Sequence, residues 1–255
     1  MIGLRLAPIC CSVGVHEMLT AIIMKNLKYQ TFVLLFVVGA AWAGDVEDAD
    51  AAGKRRDYVT ALKKYMSAAV NNDAYAALQA GNLYREGLGA KQNYVEAIRW
   101  YKMAAQQGNV TAQNNIGSMY NNGVGVLQDY VEAVRWYKMA AAQGDQIALD
   151  NLGLMYESGH GVPLNYVEAV RLYKLAAAQG NDDAQNNLGA MYGSGKGVEK
   201  DNIRAHIWFN LAAVNGNSIS INNRDKVASK MTPEQIAEAQ KLARECQARN
   251  FKNCD

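Results

Sequence analysis

Small, apolar and aromatic residues recur along the chain at positions that suit amphipathic helices. Between residues 130 and 144, for example, Ala133, Trp136, Tyr137, Ala140 and Ala141 fall at i, i+3, i+4, i+7 and i+8. This spacing places the five side chains on one face of an α-helix. Proline, which interrupts helices, occurs only three times in 255 residues. The pattern therefore predicts an all-α protein.

The same pattern returns every 36 residues, in four copies without a gap. The copies cover residues 73–108, 109–144, 145–180 and 181–216. Five positions of the repeat, or registers, hold the same residue in all four copies: Gly81, Gly117, Gly153, Gly189; Tyr84, Tyr120, Tyr156, Tyr192; Gly87, Gly123, Gly159, Gly195; Gly89, Gly125, Gly161, Gly197; and Ala97, Ala133, Ala169, Ala205. A large side chain precedes an aromatic ring in a further register: Trp100, Trp136, Leu172, Trp208, then Tyr101, Tyr137, Tyr173, Phe209. A fixed period of this length indicates stacked structural repeats.

Each copy reads as two helices, which we call helix A and helix B. Helix A is expected to start after an N-cap residue (Asp73, Asn109, Asp145 or Asn181) and to end at the Gly-x-Gly loop. Helix B is expected to start after Asn93, Asp129, Asn165 or Asp201. In the first three copies a glutamate follows three residues later (Glu96, Glu132, Glu168), which is the spacing of a capping box.

A single helix pair cannot bury its apolar face, so neighbouring copies must stack on one another. The predicted fold is an α-solenoid of helix–turn–helix repeats. Residues 44–72 are expected to form a linker and a capping helix, since Tyr58 to Ala69 has the helix B pattern. Residues 217–255 are expected to form C-terminal capping helices, the last starting at Thr232-Pro233 and ending near Arg249.

These residues resemble the Sel1-like repeat family. The shared pattern is L-G-x-M-Y-x-x-G-x-G-V-x-x-(D/N)-Y-x-E-A-(V/I)-R-W-Y-K-x-A-A-x-Q-G, and the copy at 109–144 follows it nearly throughout. The related tetratricopeptide repeat has a 34-residue period and lacks the Gly-x-Gly-Val loop. The resemblance implies a superhelix similar to that of tetratricopeptide repeats, used as an adaptor for protein partners.

The first 43 residues have the pattern of a signal peptide. Lys25 and Lys28 precede the apolar run at residues 31–40, and Ala41-Trp42-Ala43 is a small-x-small cleavage pattern. We expect cleavage after Ala43 and a periplasmic or secreted product without a membrane span, although an uncleaved N-terminal anchor is the alternative. Both Met1 and Met24 fit the translation start.

Cleavage would change the charge and the cysteine content of the protein. Basic residues would fall from 26 to 23 and acidic residues from 24 to 23, so the mature chain would be neutral. A neutral chain has no general attraction for nucleic acid. Two cysteines would remain, Cys246 and Cys254, and we predict a disulfide between them in an oxidising compartment, against two free thiols or an intermolecular pair.

No catalytic, cofactor-binding or metal-binding motif is recognised. The loop Gly193-Ser194-Gly195-Lys196-Gly197 lacks the spacing of a phosphate-binding loop and occupies a repeat turn. His160 and His206 lie in different copies without a second histidine at i+4. The sequence also lacks the S-x-x-K motif of serine penicillin-recognising enzymes. We expect no enzyme activity, with a cell-envelope enzyme of β-lactamase or cell-wall hydrolase type as the alternative.

Two registers on helix A are candidates for contact with a partner. One is a row of amides (Gln79, Asn115, Asn151, Asn187), which either grips an extended peptide on the concave surface or bonds the adjacent copy. The other varies between copies (Arg85, Asn121, Glu157), so packing does not determine its identity. We expect a monomeric scaffold that binds an unknown protein or peptide, and no nucleic acid.

Overall fold

The computed structural model describes residues 44–214, 216–252 and 254, and within these ranges it contains twelve α-helices and no β-strand. The predicted signal peptide lies outside the described residues. The first helix, α1, covers residues 44–54. The others are α2 (Tyr58–Val70), α3 (Ala74–Glu86), α4 (Tyr94–Gln106), α5 (Val110–Asn122), α6 (Tyr130–Ala141), α7 (Gln146–Ser158), α8 (Tyr166–Ala177), α9 (Asp182–Ser194), α10 (Asn202–Ala212), α11 (Ser218–Ala228) and α12 (Pro233–Ala248).

Consecutive helices pack on each other from α2 to α11, which confirms the prediction of an α-solenoid. The A helices of the four repeats are α3, α5, α7 and α9, and the B helices are α4, α6, α8 and α10. Buried side chains form two clusters that meet at α6. Trp136 belongs to the N-terminal cluster, whereas the next residue, Tyr137, belongs to the C-terminal cluster. Helix α6 therefore joins the two halves of the core.

All eight predicted N-caps cap their helices. In each helix the cap oxygen accepts a hydrogen bond from a first-turn backbone N–H. The A helices end at Gly87, Gly123, Gly159 and Gly195, each in the left-handed conformation. The repeat boundaries read from polar and glycine residues thus correspond to real helix ends.

The capping boxes expected on the B helices do not form. Glu96, Glu132 and Glu168 instead bond the arginine three residues later (Arg99, Arg135 and Arg171). The reason is that the backbone N–H of each cap residue is already used. That of Asn93, for example, donates to the carbonyl of Tyr84 in the preceding A helix, 2.9 Å away. The described chain does have a capping box at α12, between Thr232 and Gln235.

The second glycine of each loop holds one repeat against the next. Gly89, Gly125, Gly161 and Gly197 have φ between +70° and +75°. Each also lies on the first turn of the B helix that belongs to the preceding repeat or, for Gly89, on α2. A Cβ on Gly161 would lie 2.3 Å from the carbonyl oxygen of Tyr130. Both the backbone conformation and the close approach therefore require glycine at this register.

The glycine inside each A helix meets an aromatic ring. A Cβ added to Gly81, Gly117 or Gly153 would lie 2.6 Å from the ring of Tyr101, Tyr137 or Tyr173. At Gly189 the ring is that of Phe209, and the corresponding distance is 2.8 Å. These contacts let helix A and helix B of one repeat approach closely around a buried ring.

Residues 44–54, expected to be a linker, form helix α1, which packs on α2. Ala49 and Ala52 are buried in the N-terminal cluster. Lys64 of α2 pairs with Asp45 at 2.7 Å and with Asp48 at 3.2 Å. The segment expected to be a linker is therefore helical, and it covers one side of the capping helix α2. Its helical pattern was not recognised in the sequence, because α1 does not share the 36-residue period.

At the other end, α12 folds back on α10. Its N-cap is Thr232 and its first residue is Pro233, as predicted. The helix ends at Ala248, and Asn250 and Phe251 turn the chain with φ of 51° and 60°. The Cα atoms of Cys246 and Cys254 are then 5.2 Å apart, which suits a disulfide. The ring of Phe251 lies against Gly180 at the end of the third repeat.

That the two cysteines are bridged in the exported protein stays a prediction. The loop is short, so we expect removal of the bridge to lower the free energy of unfolding by about 2–3 kcal/mol. The measurement compares the wild type with a Cys254→Ser variant in urea unfolding. Mass spectrometry of unreduced, alkylated protein provides the direct check, because two modified thiols would contradict the bridge.

Candidate functional site

A pocket of about 220 Å³ opens between the second and third repeats. Its walls come from α5, α6, α7 and the loop after α7. The lining residues are Asn121, Tyr137, Asn151, Leu154, Met155, Ser158 and His160. A 150 Å³ cavity is enough to hold benzene, so this pocket has room for one large amino-acid side chain.

The lining of the pocket has apolar and polar parts. Leu154 and Met155 supply apolar surface, and 42% of Leu154 is exposed. The hydroxyl of Ser158 donates to the carbonyl of Leu154 at 2.7 Å, which leaves its oxygen able to accept. The ring of His160 stacks on Tyr130, with centroids 4.4 Å apart. No lining side chain is a carboxylate, lysine or arginine, so the pocket is suited to an uncharged group.

The predicted row of amides bridges adjacent repeats. Asn151 donates its Nδ2 hydrogen to Oδ1 of Asn114 in the preceding repeat at 3.0 Å. Asn187 donates to Asp150 in the same way, also at 3.0 Å. The row continues into α11, where Asn223 donates to Asn186 at 3.1 Å. These bonds give Asn151 and Asn187 a structural role, and their contact with a partner stays a prediction.

The first two members of the row differ from the others. Gln79 accepts a hydrogen bond from Asn82 within its own helix, at 3.2 Å. Asn115 lies beside the hydroxyl of Tyr101. Burial raises the pKa of Tyr101 to about 12, and the hydrogen bond with Asn115 opposes this rise. The first repeat has Leu78 at the register where later repeats have Asn114, Asp150 and Asn186. Asn115, in the second repeat, therefore has no equivalent acceptor in the repeat before it.

The buried tyrosine hydroxyls explain part of the variation between repeats. Tyr101 donates to Oδ1 of Asn82 at 2.8 Å. Burial raises the pKa of Tyr137 to about 12, and a hydrogen bond with Ser118, at the register of Asn82, lowers it. The third repeat has Leu154 at this register, and its tyrosine, Tyr173, donates to Glu157 instead, at 2.8 Å.

The fourth repeat has Ala190 at the register of Asn82 and Phe209 in place of the tyrosine. The hydroxyl and its acceptor are thus absent together, which agrees with the rule that buried polar groups need partners.

The three variable residues lie in different surroundings. Arg85 pairs with the adjacent Glu86 at 2.9 Å. Asn121 lines the pocket and donates to Asn122 at 3.1 Å. Glu157 accepts a hydrogen bond from the hydroxyl of Tyr173. Of the seven predicted contact residues, the structure brings Asn121 and Asn151 together in the pocket.

Asp150 is a departure from the repeat pattern that the sequence reasoning passed over. It is only 6% exposed, and Asn114 and Asn186 occupy its register in the neighbouring repeats. Burial raises the pKa of this carboxyl to about 6. The hydrogen bond from Asn187 lowers the pKa, and the nearby charges of Asp183 and Glu157 raise it. At neutral pH the third repeat therefore holds a buried negative charge.

Leu154, Tyr137 and His160 were also missed as parts of a site. Leu154 could have been found from its register, because the other three repeats have a polar or small residue there (Asn82, Ser118, Ala190). His160 replaces Val124 on the loop. The pocket itself depends on contact between repeats, which periodicity alone does not describe.

His160 and His206 lie on different elements, the loop after α7 and helix α10. Among the described residues there is no group of three or more His, Cys, Asp or Glu side chains placed to hold a metal ion. His206 is buried under α11, and burial lowers its pKa. Across the same described part of the chain, none of the helices combines the length and apolar character needed to span a membrane.

Replacement of Asp150 by asparagine is expected to stabilise the protein at pH 7. The carboxyl has a higher pKa in the folded state than in the unfolded state, so its ionisation opposes folding, and wild-type stability should rise as pH falls through 6. Because one pKa unit corresponds to 1.36 kcal/mol, Asp150→Asn should gain about 1–3 kcal/mol at pH 7.

The difference between wild type and Asp150→Asn should shrink as pH falls below 6. It should approach zero only below about 3.8, the ordinary pKa of the carboxyl, where Asp150 is protonated in both the folded and the unfolded state. Urea unfolding of both proteins at several pH values measures this difference, and other carboxylates cancel in it. A difference that does not change with pH would contradict the assignment of the buried charge.

The family model described as the Sel1 repeat matches this sequence four times, at residues 74–109, 110–145, 146–181 and 182–217. One similar solved structure is a Sel1 repeat protein from Oxalobacter formigenes, which is 34% identical with a TM-score of 0.63. The alignment covers 69% of this chain and 72% of that one.

A second similar structure is c5321, a protective antigen present in uropathogenic Escherichia coli strains and displaying an SLR fold. It is 25% identical with a TM-score of 0.55, and the alignment covers 84% of this chain and 54% of the antigen. The chain thus matches about half of the antigen's length. Among curated proteins, none matches this sequence. Because the four repeat matches span more than half of the residues, the chain belongs to the Sel1 repeat family.

Proposed function

We propose that this protein is an exported scaffold that binds a protein or peptide partner through the surface lined by its A helices. The main support is the pocket between the second and third repeats. It contains two residues, Asn121 and Asn151, from the registers that the sequence analysis selected for partner contact. Pockets with apolar walls and a few polar groups are typical of binding sites.

The chemistry of the A-helix surface favours binding over catalysis. The pocket contains one imidazole, His160, and its ring is stacked on Tyr130. Ser158 is the lining hydroxyl closest in sequence to His160, and it donates its hydrogen to the backbone carbonyl of Leu154. A hydroxyl used in this way is not paired with a general base, which nucleophilic catalysis requires.

Affinity capture from the bacterial envelope tests the proposed function. Immobilised residues 44–255 should retain a partner that Asn121→Arg loses, because arginine at this position would fill the pocket. The first repeat carries Arg85 at this register, so the substitution suits the fold. Val131→Arg, on the exposed side of α6, should retain the partner and serves as the control. Equal capture by both variants would contradict binding at the pocket.

Export is part of the proposal, and we expect the mature protein to begin at Gly44. N-terminal sequencing of protein isolated from the envelope measures this directly. A mature protein that retains Lys25 would contradict cleavage after Ala43. Size-exclusion chromatography with light scattering would test the expected monomer on the same sample.

A further inference from the structure

Resting on this function, we propose that the partner is a peptide segment with a bulky apolar residue for the pocket and a basic residue about three positions away for Glu157. The pocket supplies the site for the apolar side chain. The charge pattern along the A helices identifies the second residue. Neither a nucleic acid nor an acidic peptide fits this arrangement.

The junctions between successive repeats present equivalent positions with different charge. Arg85, Asn121 and Glu157 occupy one register, at the junctions of repeats one and two, two and three, and three and four. Arg85 is neutralised by Glu86 at 2.9 Å. Asn121 is uncharged. The surface therefore changes from a paired charge, through a neutral pocket, to an acidic junction.

The acidic junction has more than one negative group. Glu157 is half-buried and bonds the hydroxyl of Tyr173, which fixes its carboxylate in place. Asp150 and Asp183 lie close enough to interact with each other electrostatically, and Glu157 also acts on Asp150. Lysines of the third and fourth repeats are directed to aromatic rings: Nζ of Lys174 lies 5.6 Å from the ring of Tyr192, and Nζ of Lys196 lies 5.1 Å from that of Tyr166.

Asp150 adds a thermodynamic reason for a basic partner. Its register holds asparagine in the neighbouring repeats, and asparagine makes the same bridge without a charge. The buried carboxylate opposes folding at neutral pH, and a cation bound at Glu157 would offset part of this cost. A destabilising departure from a repeat pattern is expected where a site serves binding.

The spacing of the two partner residues follows from the repeat geometry. Asn151 and Asn187 bridge neighbouring A helices through single hydrogen bonds. Helices in such contact have axes about 10 Å apart. A peptide in the polyproline II conformation advances about 3.1 Å per residue and has three residues per turn. Side chains three positions apart therefore point the same way and lie about 9 Å apart, which is close to the distance between adjacent junctions. The proposed motif is therefore an apolar residue followed or preceded at the third position by lysine or arginine.

A phage-displayed library of random 12-residue peptides tests this motif, with residues 44–255 as the target. Peptides selected by the wild type should be enriched in Leu, Met or Phe with Lys or Arg about three residues away. Glu157→Gln, which keeps a polar partner for Tyr173, should retain the apolar preference and lose the basic one. Asn121→Arg should lose both. Arg85→Asn, the matched change at the first junction, should leave the selected motif unchanged.

Selected peptides are then measured by fluorescence anisotropy, and circular dichroism confirms that each variant is folded. Replacing the apolar residue by Ser should weaken binding about tenfold or more, as expected for loss of a buried apolar side chain. Enrichment of acidic peptides, or no enrichment over Asn121→Arg, would overturn the inference. If envelope capture still depends on Asn121 while basic residues confer no preference, the inference fails and the proposed function stands.

Discussion

Truncation of Trp136 to alanine should lower the free energy of unfolding by about 3–5 kcal/mol, the range for large-to-small changes in a core. The side chain is 8% exposed and belongs to the N-terminal cluster of buried residues. Its backbone neighbour Tyr137 belongs to the C-terminal cluster. Loss of the indole would leave a cavity where the two halves of the solenoid join. Urea unfolding followed by circular dichroism measures the change.

Two control variants separate packing from other effects. Trp136→Leu places on α6 the residue that the third repeat carries as Leu172. It should therefore lose much less stability than the alanine variant. Lys138→Ala changes an exposed residue of the same helix and should cost under 1 kcal/mol. Similar losses for Trp136→Ala and Lys138→Ala would show that the assigned face of α6 is wrong.

Replacement of Gly161 by alanine should destabilise the protein by about 2–5 kcal/mol, from two independent costs. The residue has φ of 71°, and an L side chain in this conformation costs about 1–2 kcal/mol. Its new Cβ would also lie 2.3 Å from the carbonyl oxygen of Tyr130, which is backbone and cannot rotate away. Forced displacement of packed atoms typically adds about 1–3 kcal/mol.

Gly144→Ala isolates the first of these costs. Gly144 has φ of 84°, but no atom lies within 4 Å of the position of its Cβ. The free energy of unfolding of Gly144→Ala should therefore fall by only about 1–2 kcal/mol. Thermal and urea unfolding of the two variants give the comparison. Equal losses would contradict the role of Gly161 as a contact between repeats.

Local sequence signals were sufficient for the helices and their ends. The cap residues, such as Asn93 and Asp129, and the helix-ending glycines act within a few residues of their own positions. Stacking of the repeats could also be predicted, because an apolar face on each helix B requires a cover. These features depend on the spacing of cap residues and glycines and on the burial of apolar faces. Both can be inferred from a periodic sequence.

Contacts between distant residues could not be read in the same way. The capping box at Asn93 fails because its N–H bonds Tyr84 in another helix, and Asp150 acquires its raised pKa from burial and from Asp183 in the next repeat. The partner of Tyr173 moves to Glu157 because Leu154 has no acceptor. The pocket depends on three helices and a loop. Comparison of registers shows where repeats differ, but the consequence requires the packed structure.

Site-specific photo-crosslinking in the native envelope tests whether the partner binds at the A-helix surface. A photoreactive amino acid is placed at Leu154, in the pocket, and in a second variant at Val131, which is 65% exposed on helix B. We expect a discrete crosslinked partner from Leu154 that Asn121→Arg abolishes, and none from Val131. A partner crosslinked at Val131 and absent at Leu154 would show that the A-helix surface is not the binding surface.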